Sequence, residues 1–294
     1  MRVLVAGKNG QLATALVEAA TADTEIDVQA IGREALDICD GISVEQAVAG
    51  FAPDIVVNAA AYTAVDKAET EEAQAFAVNE EGPRFLALAT APRGIPIVHL
   101  STDYVYDGNK AVPYLEDDPV APASVYGRSK LAGEVAVRDA NPKHLIFRTA
   151  WVHSPTGNNF VKTMLRLGVD RDHLNVVNDQ HGNPSYALHL AEAILHIMRK
   201  VGADESVQSW GTYHLSGTGT TTWYGLAREV FRCSKAAGGP HAEVSPITTA
   251  DYPTPAKRPA NSRLDCSKVG RVFGVEMPKW EDGVADCIAR LMRT

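Results

Sequence analysis

Five short apolar runs, at 3–6, 28–31, 55–57, 97–100 and 145–147, recur through the first half of the chain and are separated by segments with helical spacing. Each run is too short for a helix and is apolar on both faces, which is what a strand needs when helices cover both sides of its sheet. Alternation of such runs with helical segments is the rhythm of βαβ units, and it predicts an α/β fold with a doubly wound parallel sheet. Beyond about residue 150 the rhythm breaks. Segments 176–184 and 252–259 carry Pro, Asn and Gly without periodicity and read as loops, so a smaller, loop-rich C-terminal region is expected to fold back onto the sheet.

The first strand runs directly into Gly7-Lys8-Asn9-Gly10-Gln11-Leu12-Ala13, a GxxGxxA turn, and a helical stretch follows. In a Rossmann-like unit Gly7 permits the tight turn, Gly10 lets backbone approach a pyrophosphate, and small Ala13 lets helix pack on strand, with the helix N-terminus facing the phosphates. A plain glycine turn between strand and helix would look the same, but placement at the start of a βαβ unit favours a dinucleotide site. The second strand ends in Gly32-Arg33 rather than in the acidic residue that marks an NAD site. Arg33 suits the 2′-phosphate of NADPH, with NADH as the alternative cofactor, or is simply a solvated side chain. Asp37 and Ile38 are placed to flank an adenine, or form an ordinary loop. The expected division is therefore a dinucleotide-binding domain over 1–150 and a substrate-binding region over 151–294.

Tyr126 and Lys130 lie four residues apart, on one face of a helix if 125–134 is helical. A phenol near pKa 10 is a poor acid-base catalyst at neutral pH, and a neighbouring ammonium brings it towards the working range. Thr102, just past the fourth apolar run, supplies a hydroxyl upstream of the pair. Gly7, Arg33, Asn58, Thr102 and Trp151 all fall just beyond the carboxyl ends of expected strands, where open α/β sheets bind their ligands.

A formal net charge of -8 excludes a nucleic-acid surface, which needs clustered Lys and Arg. Cys39, Cys233, Cys266 and Cys287 form no CxxC pair and no zinc spacing, so reduced thiols are expected. The apolar run at the N-terminus is too short for a signal peptide, and no stretch approaches a membrane span of roughly 18 apolar residues. The expectation is a cytoplasmic protein with a small-molecule partner.

Eight ordered segments carry a resemblance to a known family: GKNGQLA from Gly7, NAAAYTAVDKAE from Asn58, LSTDYVYDG from Leu100, VYGRSKLAGE from Val125, FRTAWV from Phe147, GNNFVKTML from Gly157, VNDQHGNPS from Val177 and TPAKRPANSRLD from Thr254. Over nearly its whole length the chain resembles the extended short-chain dehydrogenases and, among them, the dTDP-4-dehydrorhamnose reductase family. The resemblance implies reduction by NAD(P)H of the C4 keto group of a dTDP-linked ketosugar, the last step of dTDP-L-rhamnose synthesis for cell-surface polysaccharide. It makes Tyr126 the proton donor and gives Lys130 the tasks of lowering its pKa and holding the nicotinamide ribose. Thr102 becomes the hydrogen-bond partner of the sugar carbonyl. Gly10, Gln11, Leu12, Asp37, Ile38, Ala61, Tyr62 and Thr63 map onto cofactor contacts, and Thr102, Asp103 and Trp151 onto substrate contacts. Trp151 has the shape to pack on a sugar face, or to serve as a core residue. Arg258 suits a diphosphate as a bidentate partner, or the surface.

Some members of that family form dimers bridged by Mg²⁺ on glutamates. Those positions here are Ala15 and Leu188, so no structural metal is expected, and a monomer or weak homodimer is. The sugar-nucleotide dehydratases share the Tyr and Lys but carry Asp-Glu after the Thr, where this chain has Asp103-Tyr104. A non-catalytic NADP-binding regulatory subunit, like that of methionine adenosyltransferase, is a further reading, and the intact Thr102, Tyr126 and Lys130 favour an enzyme over it.

Overall fold

The computed structural model describes residues 1–21, 23–203 and 209–293. Among them, six strands form one parallel sheet. Five come from the first half of the chain: β1 (Arg2–Ala6), β2 (Asp27–Ile31), β3 (Ile55–Asn58), β4 (Ile97–Thr102) and β5 (His144–Thr149). The sixth, Gly211–His214, pairs with β5, and the order across the sheet is Gly211–His214, β5, β4, β3, β1, β2. The chain moves outward from β1 to β2 and then crosses back to β3 on the other side of β1. A crevice opens at such a reversal, outside the carboxyl ends of β1 and β3.

The apolar runs bury both faces because successive side chains alternate. Val3, Val5, Val57, Val98 and Phe147 join Ala13 and Leu16 of α1 (Gln11–Ala20) and Leu190 and Ile194 of the helix Ala187–Ala203. On the other face Leu4, Ala6, Val56, Ile97 and Ile146 meet Val44, Val48 and Leu86. A strand and a helix from beyond residue 150 thus complete the sheet layers. A separate apolar cluster, including Val161, Leu165, Leu174, Phe231, Trp280 and Ile288, forms the core of the C-terminal lobe. Segment 252–259 contains no helix or strand, as its Pro content predicts. Segment 176–184 differs from the expected plain loop. It begins in the strand His173–Val177, which pairs with Glu243–Ile247, and contains the short strand His181–Gly182, which pairs with Thr221–Thr222. These pairings are long-range, so local composition carries no sign of them. No helix among the described residues is long and apolar enough to cross a membrane.

The helix Val125–Ala140 starts at Ser124, whose side chain accepts from the Gly127 N–H at 3.1 Å. It lies unusually close to its neighbours. A Cβ on Gly133 would sit 2.0 Å from the Asn79 carbonyl oxygen, and one on Gly127 would sit 2.3 Å from that of Tyr104. Asn79 belongs to the π-helical turn Ala77–Glu81 and is fully buried. Its amide accepts from the Tyr62 N–H at 2.8 Å and donates to the Tyr62 carbonyl at 3.1 Å and to Ser129 Oγ at 2.9 Å, which pins the loop after β3 to this helix. Gly133→Ala should therefore lower the unfolding free energy by about 2–3 kcal/mol, the range of overpacked cores, measured as a lower urea midpoint at unchanged slope.

Candidate active site

A cleft of 890 Å³ lies outside the carboxyl ends of β1 and β3. It brings together Gly7, Gly10, Gln11 and Leu12 from the first turn, and Arg33, Asp37 and Ile38 from beyond β2. Ala61, Tyr62 and Thr63 come from beyond β3, and Tyr126 and Lys130 from the helix Val125–Ala140. Lys8, Gln74, Leu100, Ser101 and Asn158 also line it, and sequence reasoning missed these.

Gly7 has φ +108°, and a Cβ there would meet the Ala60 nitrogen at 3.0 Å, so the turn requires glycine on both counts. Gly10 caps α1 without any side-chain hydrogen bond, which leaves the first-turn amides for an anionic ligand. Gln11 behaves differently from a simple cofactor contact. Its Oε1 accepts from Ser154 Oγ at 3.1 Å and Asn159 Nδ2 at 2.9 Å, both in the C-terminal lobe. Arg33 Nε donates to Asp37 Oδ2 at 3.0 Å, yet its side chain remains 76% exposed and free to turn towards a ligand. The Cys39 backbone N–H, with help from Arg33, holds the Asp37 carboxyl below its ordinary range.

At the inner end of the cleft, Tyr126 and Lys130 stand one turn apart on a buried helix face. Burial pushes the Tyr126 phenol up to about 12, the Thr102 hydroxyl opposing and the Asp103 carboxyl reinforcing the shift. Lys130 is 2% exposed, and its Nζ donates to the Leu100 carbonyl at 2.5 Å. Burial lowers it to about 8, against the opposing pull of Glu134. Thr102 Oγ1 donates to Asp103 Oδ1 at 2.9 Å and accepts from the Tyr104 N–H at 3.2 Å. Burial pushes the Asp103 carboxyl up to about 6.

Thr102, Asp103, Trp151 and Arg258, the residues expected at the substrate, are not among those that line this cleft. Trp151 is half-buried, has φ +49°, and stacks on Trp223 with ring centroids 3.6 Å apart and planes 8° from parallel. Trp223 Nε1 donates to Gln180 Oε1 at 3.1 Å, and Phe160 packs on the outer ring at 4.7 Å. A non-glycine residue at positive φ is strained and persists only where the surroundings hold it. Arg258 is neither a loose surface residue nor free. Its Nη2 donates to Asp66 Oδ2 at 2.7 Å, Asp66 also accepts from the Ala256 N–H at 3.1 Å, and its buried Nη1 has no partner among the described residues.

Beneath Lys130, Glu134 is fully buried. It accepts from Ser101 Oγ at 2.5 Å and, in bidentate fashion, from Arg148 Nε at 2.9 Å and Nη2 at 2.7 Å. Arg148 also donates to the Tyr106 hydroxyl at 2.7 Å, which meets His214 Nε2 at 2.6 Å. Sequence reasoning missed Glu134, although its place four residues beyond Lys130, on the same helix face, is a signal that could have found it. Trp223 and Gln180 had no such signal. Among the described residues no group of three or more His, Cys, Asp or Glu side chains is placed to hold a metal ion. Ala15 is buried in the sheet-facing core and Leu188 packs on the C-terminal cluster.

The family model described as the RmlD substrate binding domain matches residues 1–293. The chain belongs to this family. A dTDP-4-dehydrorhamnose reductase of Sinorhizobium fredii is 49% identical over 292 residues, covering 99% of this chain and 98% of that protein. Among solved structures, a dTDP-4-dehydrorhamnose reductase of Clostridium acetobutylicum is 37% identical with a TM-score of 0.92, covering 99% of each chain. That of Bacillus anthracis, in complex with NADP, is 36% identical with a TM-score of 0.89, covering 98% of this chain and 99% of that one.

Burial puts Lys130 at an energetic disadvantage. It lowers the ammonium to about 8 from the 10.5 of a free lysine side chain, so at neutral pH the buried charge destabilises the native state. That penalty is complete below pH 8 and fades as pH rises to 10.5, because the unfolded chain binds the proton more tightly over that window. Lys130→Met should accordingly raise unfolding free energy at pH 7 by about 2 kcal/mol, after allowing for the lost bond to Leu100, with the gain shrinking from pH 8 to 10. Chemical denaturation across that range checks both the sign and the slope.

Proposed function

We propose that this protein reduces the C4 keto group of dTDP-4-dehydro-β-L-rhamnose to give dTDP-β-L-rhamnose, with NADPH as preferred donor and NADH as a second one. The observation that carries the reading is the meeting of Tyr126 and Lys130, with the Thr102 hydroxyl against Tyr126, in a cleft that also holds the glycine turn after β1. The cleft fits the cofactor: Gly7 and the uncapped amides of α1 suit its pyrophosphate, and Arg33 suits a 2′-phosphate. When bound, the nicotinamide supplies hydride to C4.

The protein's share of the chemistry is the proton. A phenol held near 12 is fully protonated at neutral pH, so Tyr126 stands ready to donate to the C4 oxygen as it becomes an alkoxide. Thr102 orients that oxygen by hydrogen bonding, and the Lys130 ammonium holds the ribose and stabilises the phenolate left behind. Tyr104 follows Asp103 where a dehydratase carries Glu, and burial raises its phenol further, which supports reduction over elimination of water. Trp151, Asp103 and Arg258 are assigned to the sugar nucleotide. We place the reaction in the cytoplasm and assign it to a monomer or weak homodimer without structural metal.

Supplying dTDP-glucose, the upstream dehydratase and epimerase, this protein and NADPH should yield dTDP-rhamnose, and its absence overturns the assignment. Tyr126→Phe should lower kcat by about 10² to 10⁴, with KM for the sugar nucleotide changed far less. Arg33→Ala should raise KM for NADPH about tenfold or more, the scale of a lost bond to a charged group, while leaving that for NADH in place. Equal changes for both cofactors would show that Arg33 does not read the phosphate.

A further inference from the structure

Three consecutive residues of β4 meet three positions of the helix Val125–Ala140. The Leu100 carbonyl accepts from Lys130 Nζ at 2.5 Å, Ser101 Oγ donates to Glu134 Oε1 at 2.5 Å, and Thr102 faces the Tyr126 hydroxyl. Tyr126, Lys130 and Glu134 are spaced four apart and share one helix face, with neighbouring Cβ atoms about 5–6 Å apart. The reading of Tyr126 and Lys130 given above accounts for two of these rungs and leaves Glu134 without a task. Its carboxylate is 0% exposed and takes the Ser101 hydroxyl and both arms of Arg148, with Arg138 Nη1 at 3.6 Å. Stability alone does not demand such a group, since a buried ion pair exchanged for apolar side chains of similar volume is often neutral or stabilising.

We propose that Glu134 is a positioning residue for the reduction: it ties Ser101 of β4 to the helix one turn beyond Lys130 and supplies the counter-charge that keeps Lys130 an ammonium beside Tyr126. The proposal rests on the reductase reading of that pair. Glu134 touches neither substrate nor cofactor and acts through Lys130.

The charge environment makes the idea measurable. Facing Lys130 and Glu134 are His99 from β4, Asp103 and Tyr106 from the segment after it, Arg148 from β5, His214 from the sixth strand, and Tyr126 and Arg138 from their own helix. Burial and the Lys130 charge hold His99 well below its ordinary value, and burial, with Arg148 adding to it, holds His214 near 3, so both rings stay neutral. Asp103 titrates near 6 and Tyr126 near 12. Between about pH 7 and 10, Lys130 is therefore the member of this set that changes charge, falling near 8. A carboxylate one turn away favours the ammonium and a guanidinium disfavours it, so removing each moves Lys130 in opposite directions.

The test is an NMR titration of protein carrying ε-¹³C lysine, with the Lys130 resonance identified by its loss in Lys130→Met. Glu134→Gln should lower the Lys130 midpoint by about one unit, and Arg148→Gln should raise it. The alkaline limb of kcat/KM should move with the midpoint in each variant, and Glu134→Asp, which retains the charge, should recover most of the shift. A merely structural role would reduce activity with the midpoint unmoved, or would move it the same way in both variants, and either result overturns the proposal. Should Glu134→Gln fail to fold, the double variant Glu134→Gln/Arg148→Met removes the pair as a unit. Its midpoint should lie below that of Arg148→Met alone, the comparison that isolates the carboxylate, and equality of the two is the refuting outcome. A wild-type protein that titrates as expected but forms no rhamnose nucleotide overturns the proposed function alone.

Discussion

The helix Val125–Ala140 can approach the sheet only because two of its residues have no side chain. Gly133 leaves room for the Asn79 carbonyl and Gly127 for that of Tyr104, and any Cβ at either place would overlap a backbone oxygen that cannot move cheaply. The close approach is what buries Lys130 and Tyr126, and burial is what separates their pKa values from those of free side chains. It also lets Asn79 clamp both backbone groups of Tyr62, so the loop beyond β3 and the helix Val125–Ala140 keep a fixed relation. One packing constraint therefore sets the position of a cleft wall and the protonation of the groups at its floor.

Burial acts on the two groups with opposite consequences. It keeps the phenol protonated far above neutral pH, which suits the proton donor proposed for the reduction. It also works against the ammonium, which the proposed role of Lys130 requires charged. The helical spacing and the resemblance both implied that Lys130 would act by lowering the Tyr126 pKa, whereas in this structure its ammonium is turned onto the Leu100 carbonyl and the phenol is set by burial, Thr102 and Asp103. Stabilisation of the phenolate after proton transfer is a different task from depression of the resting pKa. The geometry is compatible with the first without requiring the second.

What the sequence made legible was local. The strands at β1 to β5 announced themselves as apolar runs, the Gly7 and Gly10 turn by its place after the first of them, and Tyr126 and Lys130 by helical spacing. Every residue expected at the cofactor lines one cleft, because the crossover from β2 to β3 brings the ends of separate strands together. What was not legible depends on pairings distant in sequence. The strand Gly211–His214 and the helix Ala187–Ala203 return from beyond residue 150 to complete the sheet layers, and nothing in their local composition distinguishes them from elements of the C-terminal lobe. Trp223 and Gln180 meet Trp151 only through the folded lobe, and Arg258 finds Asp66 across most of the chain. Arg33 was read correctly as a residue near the end of β2, but its pairing with Asp37 shows that a cation at that place need not be waiting alone for a phosphate.

The two lobes are mechanically joined at the dinucleotide turn itself. Gln11 is the first residue of α1, one position beyond the glycine that caps it, and its side chain accepts hydrogen bonds from both Ser154 and Asn159. Asn159 in turn caps the helix Phe160–Asp170, its Oδ1 accepting from the Lys162 N–H at 3.1 Å, and Val161 and Leu165 of that helix are core residues of the C-terminal lobe. Two neutral hydrogen bonds stabilise by only about 1–3 kcal/mol together, too little to hold the lobes as one body without the sheet contacts behind them. Their importance is geometric. They fix the end of α1 that faces the cleft relative to the segment that carries Trp151, three residues before Ser154, so a shift of the turn cannot leave the aromatic stack in place. The strained φ of Trp151 belongs to the same arrangement: the stack with Trp223 and the Ser185 N–H bonded to the Trp151 carbonyl at 3.2 Å hold the indole where an unconstrained backbone would not put it.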